Sequence, residues 1–175
     1  MGSLDRILTA PYKGAPHTVR IIKDAVAESR QHYLVRRATE RVCQHLRSKD
    51  YLSEALAVCF WVEQHVRYMR DPRSVELVTS PVKLIERIER GETPSEDCDG
   101  MTALIAAMLE STGAECYAVT AAFRNLFYKG ERQYSHVYAQ VKEPRSGAMI
   151  ALDPVANVDT DKMLKRIVAQ KIWPL

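Results

Sequence analysis

The chain has 175 residues, 46% of them hydrophobic and 27% charged, which is ordinary globular composition and enough for one core. No run of about 18 apolar residues occurs, which excludes a spanning helix. The net charge of +3 is uneven: residues 1–75 hold 13 Lys/Arg against 8 Asp/Glu, and residues 76–175 hold 12 against 14. The cations are interspersed with acids, so the surplus reads as a solvated helical surface and nucleic acid is not an expected partner.

Met1-Gly2-Ser3-Leu4-Asp5-Arg6 lacks the basic-then-apolar order of a secretory signal. Residues 1–16, with Pro11, Gly14 and Pro16 and no sustained period, read as an N-terminal arm that is disordered or laid onto a partner. Thr18 is the expected cap of a helix over 19–30, in which Ile21, Ile22, Ala25 and Val26 form an apolar stripe. A second helix over 31–46 carries Leu34, Val35, Ala38, Val42 and Leu46. Ser53 starts a third, with Leu56, Ala57, Phe60, Trp61, Gln64 and Tyr68 on one face, stopped by Asp71-Pro72. Val75 to Val78 is a short apolar piece, 81–90 a helix, and 91–95 a loop.

The most periodic segment follows. Met101, Leu104, Ile105, Met108 and Leu109 repeat at helical spacing, and Ala103, Ala106 and Ala107 fill the other side, predicting a helix buried nearly all round and ended by Gly113. The period then becomes two: 116–123, 134–142 and 148–153 read as strands, with 124–133 a polar and aromatic loop. Thr160 caps a last helix with Met163, Leu164, Ile167 and Val168 inward, before an apolar tail, Ile172-Trp173-Pro174-Leu175. Helices first and an antiparallel sheet second is an α+β order. One domain over 17–155 is expected, its core about 54–155, with 156–175 a C-terminal helix and tail.

Cys98 opens the buried helix, between Asp97 and Asp99. A helix N-terminus favours a thiolate and its N–H groups can hold an oxyanion, whereas the flanking acids oppose the thiolate and call for a histidine. His136 stands at the start of one strand and Asp153 at the end of the next. The intervening Glu143-Pro144-Arg145-Ser146-Gly147 reads as a hairpin loop, and simple register about its middle sets His136 opposite Asp153, within reach for a carboxylate to orient an imidazole. Nucleophile, base and orienting acid are the parts acyl transfer by cysteine needs. Singly, a Cys at a helix start, a strand His and an Asp before Pro are ordinary packing, surface and turn residues; their joint placement marks the site.

Trp61-Val62-Glu63-Gln64-His65-Val66-Arg67-Tyr68, Glu96-Asp97-Cys98-Asp99-Gly100, His136-Val137-Tyr138 and Leu152-Asp153-Pro154, in order over about 54–155, resemble the transglutaminase-like superfamily. Arg70-Asp71-Pro72, Glu76-Leu77-Val78 and Ser80-Pro81 are similar to short stand-alone phage and prophage members. The resemblance implies a papain-like fold with a helix packed on an antiparallel sheet. It makes Cys98 the nucleophile, His136 the base and Asp153 the third member. The chain departs from the pattern at Glu96, where Gly is frequent, and at Gly100, where an acid or small polar residue is frequent. Tyr68 or Gln64, on the third helix, is the expected second oxyanion donor, beside the alternative that Trp61 and Tyr68 are core aromatics.

The expected activity is therefore peptide or amide hydrolysis, or protein cross-linking, through an acyl-cysteine. The alternative is a non-catalytic virion structural or assembly protein, with the arm and tail docking on a homo-oligomer or virion partner. No cofactor and no metal are expected: the acids around Cys98 lack the spacing of a calcium loop, and no fourth ligand or C-x-x-C pair supports zinc. Cys43, Cys59 and Cys116 lie on apolar stripes or a strand and read as core. Four scattered cysteines, together with the phage resemblance, point to a reduced cytoplasmic setting or a virion.

Overall fold

A computed structural model describes residues 7–11, 14–72, 75–155 and 160–175. Strand β1 (Ile7–Pro11) leads into helices α1 (Ala15–Ser29), α2 (Tyr33–Cys43) and α3 (Tyr51–His65). Strands β2 (Arg67–Tyr68) and β3 (Val75–Thr79) precede α4 (Pro81–Glu89), β4 (Ser95–Glu96) and α5 (Cys98–Glu110). The second half holds β5 (Glu115–Ala122), β6 (Phe127–Tyr128), β7 (Glu131–Arg132), β8 (His136–Lys142), β9 (Met149–Leu152), α6 (Thr160–Lys165) and β10 (Ala169–Pro174). The main sheet is antiparallel in the order β10-β5-β8-β9. The expected α+β architecture is observed, with helices in the first part and the Cys98 helix packed on the sheet.

Helix α5 is the axle of the molecule. Asp97 caps it, its carboxylate accepting from the Asp99 and Gly100 N–H groups, a contact that stabilises a helix start by about 1 kcal/mol. Every residue from Asp99 to Leu109 is buried, as the all-round apolar pattern predicts, and α1, α2, α3, α4 and β8 pack about it. Each fully buried Leu, Ile or Met here contributes about 1.5–3 kcal/mol of burial free energy. Ala114 N–H returns to Leu109 O, with Gly113 left-handed (φ 89°) beside it, where a side chain would be strained.

Both faces of the sheet are covered. Cys116, Ala118, Val137, Ala139 and Val141 face the helical core, whereas Val119, Ala121 and Tyr138 join Met163 of α6 in a second cluster. This places successive residues of β8 on opposite faces. His136 lies on the Tyr138 side, its ring centroid 6.3 Å from that of Tyr138 and 5.9 Å from that of Phe123.

The ends differ from expectation. Ile7–Pro11 pairs antiparallel with Val75–Thr79, and Ala15 and Pro16 belong to α1, capped at Gly14, with Thr18 buried inside the helix. A proline's fixed φ suits the first helical turn, so Pro16 begins the helix that its presence seemed to delay. The remainder of the expected arm lies outside the described residues. At the other end, Ile172-Trp173-Pro174 pairs with Val119-Ala118-Tyr117, and Leu175 N–H donates to Cys116 O. The tail is thus a strand of the main sheet, with Trp173 and Leu175 packed against the core and Ile172 exposed; 156–159 lie outside the described residues.

Two internal segments also differ. The expected loop 124–133 contains the small β6–β7 hairpin. Helix α3 stops at His65 rather than near Asp71-Pro72, because Val66 turns extended and Arg67–Tyr68 pairs in parallel with Ser95–Glu96. Arg67 N–H donates to Pro94 O and Met69 N–H to Glu96 O. Those backbone bonds replace the helical ones and carry Tyr68 alongside the segment that precedes Cys98.

Candidate active site

Cys98 is partly buried at the first position of α5. Its thiol donates to Asp99 Oδ1 at 3.4 Å. Burial pushes the thiol well above its ordinary value of 9, the Asp99 and Asp97 carboxylates push the same way, and the Val137 N–H directed at the sulfur opposes them. The helix start alone predicts a depressed thiol; here desolvation and two neighbouring anions outweigh it. At neutral pH Cys98 is therefore a protonated thiol held by a carboxylate. The other three cysteines are also free. Burial pushes Cys59 up to about 12 and raises Cys43 and Cys116 as well, consistent with packing roles.

His136 Nε2 and Asp153 Oδ2 lie 2.7 Å apart, with side chains only 10% and 1% exposed. The other Asp153 oxygen accepts from Val155 N–H at 3.0 Å, so the carboxylate is fixed from two directions and Nδ1 is the ring nitrogen left to face a substrate. The pair forms, but not by direct opposition. The register sets Ala139 opposite Leu152 and Lys142 opposite Met149, which continued outward sets Asp153 opposite Tyr138. The loop explains the shift. Glu143 N–H donates to Ala148 O, its carboxylate accepts from the Arg145 and Ser146 N–H groups, and Gly147 takes a left-handed φ of 72°. The hairpin therefore turns about 144–147, one residue later than composition indicates, and each opposed pair moves by two. A two-residue shift keeps both side chains on one face and leaves them diagonal neighbours within reach; a one-residue shift would have parted them.

Cys98 and His136 line one cavity of about 190 Å³, with Asp71, Asp97, Asp99 and Tyr134 also on its walls. His136 and Ser135 also line a second cleft of about 630 Å³, which reaches Asp153, Tyr68, Phe123 and α6. The imidazole stands between the two. Of the two oxyanion candidates, Tyr68 reaches the site from β2: it lines the second cleft, is 41% exposed, and its phenol is raised by burial, with its hydrogen bond to Arg70 opposing. Gln64 is exposed on α3 and lines neither cavity. The third helix ends at His65, so Tyr68 lies on β2 rather than on that helix, whereas Gln64 lies on it as expected but away from both cavities.

Glu96 and Gly100, the two residues at which the sequence departs from the resembled motif, are packed against one another. Glu96 is buried, its carboxylate facing the Thr79 N–H at 3.4 Å, and burial raises its pKa above the ordinary 4.5. A Cβ on Gly100 would stand 2.0 Å from Glu96 Oε2 and 2.8 Å from its Cδ. The Glu96 side chain thus occupies the room that a side chain at position 100 would need. The spacing of i and i+4 around the helix start made that legible in principle; the hydrogen bond to β3 did not show in the sequence. Val137 N–H, a backbone donor from β8, also had no sequence signal.

Asp97, Cys98 and Asp99 bring one potential metal-ligand atom each within 4.8 Å of one another. The Asp97 carboxylate is engaged in capping and Asp99 in holding the thiol, so these donors serve the helix start and the sulfur. Among the described residues, no helix is long and apolar enough to cross a membrane.

No protein-family model and no curated protein matches the chain. Two solved structures share its fold. One is a candidate protease from Parabacteroides distasonis, 11% identical with a TM-score of 0.52, covering 81% of this chain and 27% of its own. The other is a candidate cysteine protease from Cytophaga hutchinsonii, 15% identical with a TM-score of 0.53, covering 93% of this chain and 53% of its own. This chain spans about a quarter of the first and half of the second, and what it has in common with both is the fold.

Proposed function

We propose that the chain is a transglutaminase-like cysteine enzyme that cleaves or exchanges amide bonds through an acyl-cysteine. The observation that carries this reading is the buried 2.7 Å pair of His136 Nε2 and Asp153 Oδ2 beside a helix-opening cysteine in the same cavity. Asp153 engages Nε2, which leaves Nδ1 as the ring nitrogen to serve the thiol in this reading. As the Cys98 sulfur attacks the carbonyl carbon, His136 Nδ1 takes its proton and a C–S bond forms. The carbonyl π electrons move onto oxygen, where the Cys98 N–H at the helix start and the Tyr68 hydroxyl are the candidate donors. Collapse of the intermediate breaks the C–N bond, and the imidazolium returns the proton to the leaving amine. Water then yields a carboxylic acid, or a second amine yields a new amide; both routes free the thiol.

The raised thiol means that proton transfer to His136 accompanies attack rather than preceding it. Protein or peptide amides are the proposed substrates, and the resemblance to phage and prophage members supports a host-cytoplasmic or virion setting. The test is turnover of a peptide anilide together with hydroxylamine trapping of the acyl-enzyme. Cys98→Ala is expected to lower turnover by about 10³-fold or more with the fold intact. Equal turnover in Cys98→Ala and wild type overturns the reading. A non-catalytic assembly role is the second reading, favoured by the exposed apolar stripe Leu52, Leu56 and Phe60 on α3; it expects Cys98→Ala to be silent and charged substitutions in the stripe to block assembly.

A further inference from the structure

We infer that the cleft on the Asp153 side of His136 is a subsite for a carboxylate-bearing residue, so that the substrate is an amide flanked by an acidic side chain. This inference rests on the proposed reaction at Cys98. The cleft has a volume of about 630 Å³, room for a side chain and adjoining backbone, and Arg70, Lys162 and Arg166 all line it. These cations come from separate parts of the chain. Arg70 follows β2 and its side chain donates to the Tyr68 hydroxyl, Lys162 lies on α6, and Arg166 is the residue after α6. Tyr68 and Phe123 give the cleft aromatic walls, with the Arg166 guanidinium 5.6 Å from the Phe123 ring centroid. Among the described residues the only acid lining this cleft is Asp153, which is committed to His136 at 2.7 Å.

The cavity on the other side of the imidazole has the opposite character, with Asp71, Asp97 and Asp99 on its walls. Acids thus line the cysteine side of His136 and cations the other. A carboxylate is drawn to the α6 side and repelled from the cysteine side, which orients a peptide as well as selecting it. Exposed cations act through screened charge, so the preference should weaken with salt.

The experiment uses the full chain and three blocked peptides that differ only in one central residue: Glu, Gln or Lys. Binding is measured by calorimetry on Cys98→Ala, and turnover of the matching anilides on wild type. The Glu peptide is expected to bind about tenfold more tightly than the Gln peptide in 50 mM salt and to lose most of that margin in 500 mM salt. Arg70→Glu with Arg166→Glu should turn the preference toward Lys, and the milder Arg166→Gln, at an exposed position, should halve it or more with an unchanged melting curve. Charge-selective binding without turnover of any anilide keeps the subsite and overturns the enzyme. Turnover without charge preference, or a preference that the charge swaps leave in place, overturns the subsite and keeps the enzyme. Absence of both selective binding and turnover overturns both.

Discussion

His136 and Asp153 are brought together from positions 17 residues apart, bond at 2.7 Å and are nearly closed to solvent. Cys98, on the first turn of α5, is turned instead toward its own neighbour, with its S–H on Asp99 at 3.4 Å and its pKa pushed well up. The His136–Asp153 pair is already formed while the Cys98 thiol is held neutral. The difference comes from the two kinds of construction. A hairpin loop and a strand face set the pair, and alternation protects its geometry from a two-residue slip. The thiol sits in a run of consecutive polar residues at a helix start, where capping by Asp97 brings carboxylates as close as it brings N–H groups. An enzyme with this arrangement delivers the proton to the histidine during attack and needs substrate to complete the site.

The sharpest way to break the comparison is to spoil the assembled half. Asp153→Asn keeps the size of the side chain but favours the wrong imidazole tautomer; turnover is expected to fall about 10³–10⁴-fold, with the far-ultraviolet spectrum unchanged. Full activity in this variant would show that the pair has only a structural role. The restrained half offers the opposite experiment. Wild-type Cys98 alkylation by iodoacetamide should be slow at pH 8 and climb through pH 9 and beyond, because a raised thiol ionises late. Asp99→Asn removes one of the two anions while keeping the backbone N–H that Asp97 caps. It should lower the thiol pKa and raise the alkylation rate at pH 8 several-fold, read by mass spectrometry at Cys98. An unchanged pH profile would mean that burial alone holds the thiol.

Smaller effects probe the packing beneath the cysteine. Gly→Ala inside a helix ordinarily stabilises by up to about 1 kcal/mol. Gly100→Ala should instead cost about 1–2 kcal/mol in chemical denaturation, since its Cβ meets Glu96 Oε2. The cost should vanish in the Glu96→Ala background. A stabilising Gly100→Ala in the wild-type background would refute the idea that Glu96 fills the room a side chain at position 100 would need. The smallest expected effect is a pH dependence. Glu96 has a folded pKa above its ordinary 4.5, so the folded state holds the proton that the unfolded state loses first. Stability contributed by that proton is present below about pH 4.5 and is lost as pH rises toward the folded value. Glu96→Gln, which cannot ionise, should therefore melt alongside wild type in acid and above it by a few degrees at pH 7.

The apolar period of α5, the strands that follow it and the order of helices before sheet were all determined by residue pattern, because burial on one helix or one strand face is a local consequence of spacing. The approach of His136 to Asp153 was legible for the same reason, as two strands joined by a loop with turn chemistry, and so was the place of Cys98 at a helix start. What the pattern could not decide was everything set by contact with a distant segment. Helix α3 ends early because Arg67–Tyr68 pairs with Ser95–Glu96. The ends of the chain become strands because β3 and β5 offer them edges. The hairpin register depends on which N–H groups the Glu143 carboxylate accepts. Above all, the state of the thiol is a balance among desolvation, two carboxylates and one N–H from β8. Composition names these groups, but only their distances in the folded chain give the sign of the result.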